Sequence, residues 1–292
     1  MKAYGKYFEV GKGAYGKVIK AYNKKTKVDC AIKIIKLLSK SEDDISKITN
    51  EVAIMQKFDH PNIIKYYDHF IENNNLYIVM EWADMNLKQL LGNKKSFSED
   101  EVVNFYLQIA SGLSYVHKSR IIHRDIKPEN ILVINGQYKI ADFGVSKQLN
   151  SVQQYAQTAI GTPLYIAPEI WRFEPYDYKV DIWSLGCLLY EICNGDPPFV
   201  GLDFSEIISK VENHEIHRIN PKYSPKLENH IREMLSLEPH FRPTIEDIPK
   251  FFSERNIDFP DDFIDDDDFV VNTEPKNNEF DSFTIDFTEQ DL

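Results

Sequence analysis

Between residues 8 and 35, apolar and polar side chains alternate, broken by Gly13, Gly16 and an Asn23-Lys24-Lys25 turn. A period of two sets successive side chains on opposite faces of an extended chain, so this stretch predicts three antiparallel strands. Helical spacing follows. Ile45, Ile48, Val52, Met55 and Phe58 recur with Glu51 among them, and Ser41 with Asp44 forms a loose N-terminal cap. Residues 64–71 and 76–80 read as two further strands, which completes a five-stranded antiparallel sheet carrying one helix.

After Ala83 the pattern becomes helical. Ser98 and Glu101 make a capping box that opens an amphipathic helix over 100–118. Helical spacing returns over 180–193, 204–212, 226–237 and 244–251, the last opened by a second capping box from Thr244 to Asp247. The expected fold class is therefore α+β, a sheet-rich first part and a mainly helical second part. From 253 to 292 the chain alternates acids with Phe259, Phe263, Phe269, Phe280, Phe283 and Phe287 and holds no period, so this tail is expected to be mostly disordered in isolation.

Charge sharpens this division. The chain of 292 residues carries a net charge of -12, yet residues 253–292 hold 14 Asp/Glu against 2 Lys/Arg, and the rest is balanced. Residues 1–40 carry 11 lysines against Glu9 and Asp29, so a basic first lobe faces an acidic tail. Nucleic-acid binding gains little support from this distribution, and none is expected. Cys30, Cys187 and Cys193 lack metal or CxxC spacing and read as buried hydrophobes in a reducing compartment. No apolar leader and no run of 18 apolar residues occurs, so a cytoplasmic or nuclear home without a membrane span is expected.

The candidate chemistry is phosphoryl transfer, which needs phosphates held, their charge neutralised and a hydroxyl aimed in line. Gly11, Gly13 and Gly16, with Val18 after them, allow backbone amides to approach phosphate oxygens. A dinucleotide-binding unit wants a helix straight after Gly16, where this chain has the strand-like KVIKAY; a Walker A loop wants Ser or Thr where Val18 stands. A β-hairpin flap remains. Lys33 follows on the third strand in CAIKII, ahead of the helix bearing Glu51.

HRDIKPEN at 123–130, Asp142-Phe143-Gly144, then Ala167-Pro168-Glu169 stand in order along the chain. With these motifs the sequence resembles the eukaryotic protein kinases over residues 7–252. The resemblance implies a bilobal fold within 1–252: a first lobe over about 1–80, a hinge at 81–84 and a second lobe over 85–252. It further implies ATP and Mg2+ as nucleotide and cofactor. Asp125 would accept or orient the substrate hydroxyl proton, Lys127 would steady the transferring phosphate, and Asn130 and Asp142 would hold two magnesium ions. Lys33 would pair with the α/β-phosphates, held by Glu51. Met80 would stand at the mouth of the adenine pocket, with backbone groups of Glu81 and Ala83 bonding the base; Val10, Val18, Ala31 and Leu132 join the ATP-binding set. The hinge exit, Ala83 to Leu87, is one residue shorter than usual, and the ribose contact falls to Asn86 or Asp84. Structural roles carry over too: Phe143 and His123 beneath the active helix, Glu169 paired with Arg242, and Asp181 tying down the catalytic loop.

The same resemblance narrows the substrate. Lys127 in DIKPEN and Thr162 in the GTP segment match the serine/threonine kinases, so protein Ser/Thr hydroxyls are the expected acceptors, and Glu129 is expected to meet a basic residue upstream of the acceptor. Arg124, read as buried beside Asp125, calls for an anion, with phosphorylated Thr158 as the candidate, Lys147 as a second contact and Ser151 as the competitor. The phosphate would come from an upstream kinase or from autophosphorylation. LYIVMEWA, IGTPLYIAPEI and YKVDIWSLGCLLYEI resemble the NIMA-related group. The tail reads either as a solvated appendage or as a segment that docks on the first lobe or a partner. Two rivals stand beside this reading. A pseudokinase scaffold is disfavoured by intact Lys33, Glu51, Asp125, Asn130 and Asp142, and a small-molecule kinase leaves the GTP and APE segments unexplained.

Overall fold

Alternation in the first part of the chain does form a sheet. In the computed structural model, which describes residues 3–13, 16–37, 42–143 and 164–248, five antiparallel strands pair in the order β1-β2-β3-β5-β4. They are β1 (Tyr4–Gly13), β2 (Gly16–Asn23), β3 (Asp29–Lys36), β4 (Tyr66–Glu72) and β5 (Asn75–Glu81). On β3, Cys30, Ile32 and Ile34 face a small core shared with Ile19, Ala21 and Val79, while Ala31 and Ile35 join the main core on the opposite side. Because side chains on a strand alternate, Lys33 goes with Ala31 and Ile35, toward the second lobe.

Helix α1 (Glu42–Met55) lays Ile48, Val52 and Met55 against that face, each burial being worth roughly 1.5–3 kcal/mol relative to exposure. β5 leads through Trp82 to a feature that alternation missed, a three-stranded sheet of β6 (Met85–Asn86), β7 (Ile131–Ile134) and β8 (Gln137–Ile140). Its strands are too short to display a period. Helix α2 (Leu87–Asn93) was also unforeseen; its capping box is Asn86 with Gln89.

The second lobe is built on α3 (Glu99–Lys118), α4 (Pro168–Trp171), α5 (Lys179–Asn194), α6 (Phe204–Glu212) and α7 (Pro225–Met234). Ser98 and Glu101 close the expected capping box on α3. Helix α5 is apolar nearly all round and lies in the lobe's centre, as such a helix must. Two expectations need correction. The helix predicted over 226–237 ends at Met234, and Leu235 is buried from a turn instead. Within 244–251 the capping box of Thr244 with Asp247 is present, but it opens a 3-10 turn, Ile245–Asp247, rather than an α-helical first turn; residues 249–251 lie outside the described residues.

Candidate active site

The two lobes enclose a cavity of about 470 Å3. Val10, Gly11, Val18, Ala31 and Lys33 reach it from the sheet, Met80, Glu81 and Ala83 from the connection, and Asn86, Glu129, Asn130, Leu132 and Asp142 from the second lobe. Residues separated by more than a hundred positions thus share one cleft. Gly11 has open space where a Cβ would stand, which leaves room for a ligand. Gly13 and Gly16 pair with each other at the end of the β1–β2 ladder. Gly16 has φ of +147° and a Cβ there would lie 2.0 Å from the Ile34 carbonyl oxygen, so its first duty is the close approach of β3.

The loop before β7 is held by a carboxylate from the central helix. Asp181, fully buried on α5, accepts the backbone N–H of His123 at 2.9 Å and of Arg124 at 2.8 Å, and the His117 ring at 2.8 Å. Burial alone would raise its pKa, but His117 and His123 outweigh burial and hold it below the ordinary range. His123 Nε2 lies 3.1 Å from the Ala141 carbonyl oxygen, so it donates, and Nδ1 accepts the Asp125 N–H at 3.3 Å. Burial holds this imidazole below its usual pKa. The His123 ring lies 4.8 Å from Phe143, which also meets Phe58 at 5.4 Å and Tyr66 at 6.3 Å.

Asp125 Oδ2 receives Asn130 Nδ2 at 2.8 Å and Lys127 Nζ at 3.0 Å. Burial lowers the Lys127 pKa, but Asp125, Glu129 and Asp142 outweigh it and leave the ammonium firmly charged. Asn130 gives its Nδ2 to Asp125 twice, to the backbone oxygen and the carboxylate, which leaves its amide oxygen to accept. Across the cleft Lys33 Nζ meets Asp142 Oδ1 at 2.5 Å. Burial raises the Asp142 pKa, but Lys33 outweighs it, with His123 and Lys127 adding, so the group is a carboxylate at neutral pH. An amide oxygen and a carboxylate on one cavity are hard donors that fit Mg2+.

Several expectations take a different form. Glu51 lies on α1, but its side chain is outside the described set, as are Thr158, Lys147 and Thr162 in their entirety. Among the described residues Lys33 pairs with Asp142, and its expected pairing with Glu51 lies outside them. Arg124 is exposed, not buried, which removes the desolvation argument for an obligatory anion. Glu129 is engaged by Lys88 Nζ at 2.6 Å. Asn86 accepts the Gln89 N–H at 3.0 Å as the cap of α2, and Asp84 accepts Trp82 Nε1 at 2.8 Å. Glu169 and Arg242 form the expected pair, bidentate at 2.6 and 2.8 Å and buried.

Tyr66, Ile78, Trp82 and Gln89 also line the cavity and were not anticipated. Ladder register could have found Tyr66, which stands opposite Met80. Its phenol is pushed up first by burial and then by the Asp142 charge. Lys139 was missed too; its Nζ binds Glu81 Oε2 at 3.0 Å and braces the connection from behind.

Comparison with known proteins agrees with this geometry. The protein kinase domain family model matches residues 4–251. The chain is 37% identical over 246 residues to serine/threonine-protein kinase Nek5 of Homo sapiens, covering 82% of this chain and 35% of that one. It is 39% identical over 241 residues to serine/threonine-protein kinase Nek3 of Mus musculus, covering 80% and 46%. Against probable serine/threonine-protein kinase nek3 of Dictyostelium discoideum it is 39% identical over 259 residues, covering 85% and 23%. This chain thus spans less than half the length of each of these relatives.

Proposed function

This chain belongs to the protein kinase family, and from that premise we propose that it transfers the γ-phosphate of ATP to serine and threonine hydroxyls of proteins, in the manner of a NIMA-related kinase. One observation carries the reading: Lys33, Asn130 and Asp142 converge on a single cavity beside Asp125, whose carboxylate is oriented by Asn130 and Lys127.

Asn130 and Asp142 would hold Mg2+, which when bound would neutralise the charge of the phosphates. Lys33 is drawn from Asp142 to the α/β-phosphates. Asp125 receives the proton of the acceptor hydroxyl as its oxygen attacks the γ-phosphorus, the bond to the bridging oxygen breaks, and ADP leaves. Lys127, already beside Asp125, faces the oxygens of the transferring group, where a preorganised cation stabilises developing charge. The names of the relatives and the DIKPEN spelling support Ser/Thr acceptors. The test is turnover of Mg-ATP with casein, with phosphosites mapped afterwards: the intact chain should label serine and threonine, and Asp142→Ala should not.

Finer points belong to the same proposal. Glu129 selects a basic residue upstream of the acceptor in competition with Lys88, so a positional peptide library should favour Arg or Lys there. Phosphorylation of Thr158 raises activity. The acidic, aromatic tail is either a solvated appendage or a segment for the lysine-rich first lobe or a partner; truncation after Phe252 that leaves activity, salt response and partner binding unchanged would dismiss docking.

A further inference from the structure

Arg124 precedes Asp125 and has φ of 65°, a left-handed conformation that an ordinary side chain adopts only where its surroundings hold it. Asp181 holds the backbone N–H at 2.8 Å, and that contact leaves the guanidinium unplaced. The side chain is exposed, and its guanidinium carbon lies over the ring of Tyr176, 5.4 Å from the centroid.

Tyr176 belongs to a segment that is itself fixed. Asp177 accepts the Lys179 N–H at 2.8 Å, which locks the start of α5. Two residues beyond Tyr176, the Tyr178 ring lies 4.8 Å from His117, the same His117 that shares the Asp181 carboxylate. The segment therefore braces the catalytic loop twice: Tyr178 covers the histidine behind Asp181, and Tyr176 presents a π face to the arginine in front of it. Arginine over a tyrosine face within about 6 Å is an attractive geometry that needs no anion.

We propose that Tyr176 is a positioning residue, whose ring is the standing partner of the Arg124 guanidinium and steadies the backbone of Asp125 when the activation segment carries no phosphate. An anion arriving beside Arg124 then exchanges a weak partner for a strong one, so activation is graded and the unphosphorylated chain retains a basal rate. The exchange of partners rests on the proposed role of Thr158; the Arg124–Tyr176 contact does not.

The test uses the full chain carrying Thr158→Ala, with position 176 occupied by Phe and by mono-, di- and trifluorinated Phe, which withdraw π density at nearly constant shape. Tyr176→Leu is the end point. With Mg-ATP and casein, kcat should fall stepwise along the fluorinated series by on the order of two- to five-fold in all, the fold-change equivalent of an exposed cation–π contact. KM for ATP should stay constant, and Tyr176→Phe should retain the rate that Tyr176→Leu loses. In chain with phosphothreonine installed at 158, the slope should flatten. A flat series in the unphosphorylated chain, or Tyr176→Phe falling as far as Tyr176→Leu, overturns the proposal, and an equal slope in the phosphorylated chain overturns the exchange. If Thr158→Ala matches the unsubstituted chain, the role of Thr158 falls while the fluorination slope still reads the contact.

Discussion

At the scale of single residues, each charged group in the cleft has a task set by its partner. Asp125 is oriented by Asn130 and Lys127, so Asp125→Asn should lower kcat on the order of 10²–10⁴-fold with little change in KM for ATP, measured by steady-state kinetics. Asp181 carries a lowered pKa. A carboxylate of that kind stabilises the fold above its unfolded pKa, near 3.9, and loses the contribution as pH falls through the lower folded value. Acid unfolding of Asp181→Asn should accordingly begin from a less stable protein and depend less steeply on pH below about 4. Glu191 has the opposite sign. Burial pushes its pKa up to about 7, and Tyr165 donates to it at 2.7 Å. A raised carboxyl pKa means stability falls as pH climbs from the unfolded value through about 7. Glu191→Gln should therefore raise Tm at pH 8 and leave it unchanged or lower at pH 5 by scanning calorimetry, on the order of 2–4 °C per kcal/mol recovered.

Among elements, legibility followed length and period. The five strands, α3 and α5 announce themselves by alternation or helical spacing, and Ser98 with Glu101 marks its helix end in the sequence. β6, β7 and β8 stayed hidden because strands of two and four residues are too short to show a period. The site was read from motif order rather than from geometry, and the difference shows at Lys33 and Arg124. Spacing could not reveal that Lys33 meets Asp142, nor that Arg124 is exposed, since neither a contact between distant segments nor burial is written in local sequence. Close approaches between elements were likewise unreadable. A Cβ on Gly186 of α5 would come within 2.9 Å of Met234 on α7. Gly186→Ala should cost roughly 1–3 kcal/mol by overpacking in urea unfolding, rather than stabilise as an alanine in an open helix would.

For the whole molecule, the buried Glu169–Arg242 pair ties the start of α4 to the chain beyond α7. Arg242→Ala strands a buried carboxylate and should cost about 3–5 kcal/mol, read as a loss of denaturation midpoint. The Lys33–Asp142 contact has a consequence on this scale. Lys33 and Asp142 neutralise each other across the cleft, so under the proposed function a metal–nucleotide complex would bring a swap of counterions: the phosphates would take the ammonium and the metal the carboxylate. Such a swap would leave neither Lys33 nor Asp142 without a counterion. Metal-free nucleotide would claim only one half of it, abandoning Asp142 beside polyanionic phosphate, so on the proposed function the cleft would favour metal-loaded over free ATP before any chemistry begins.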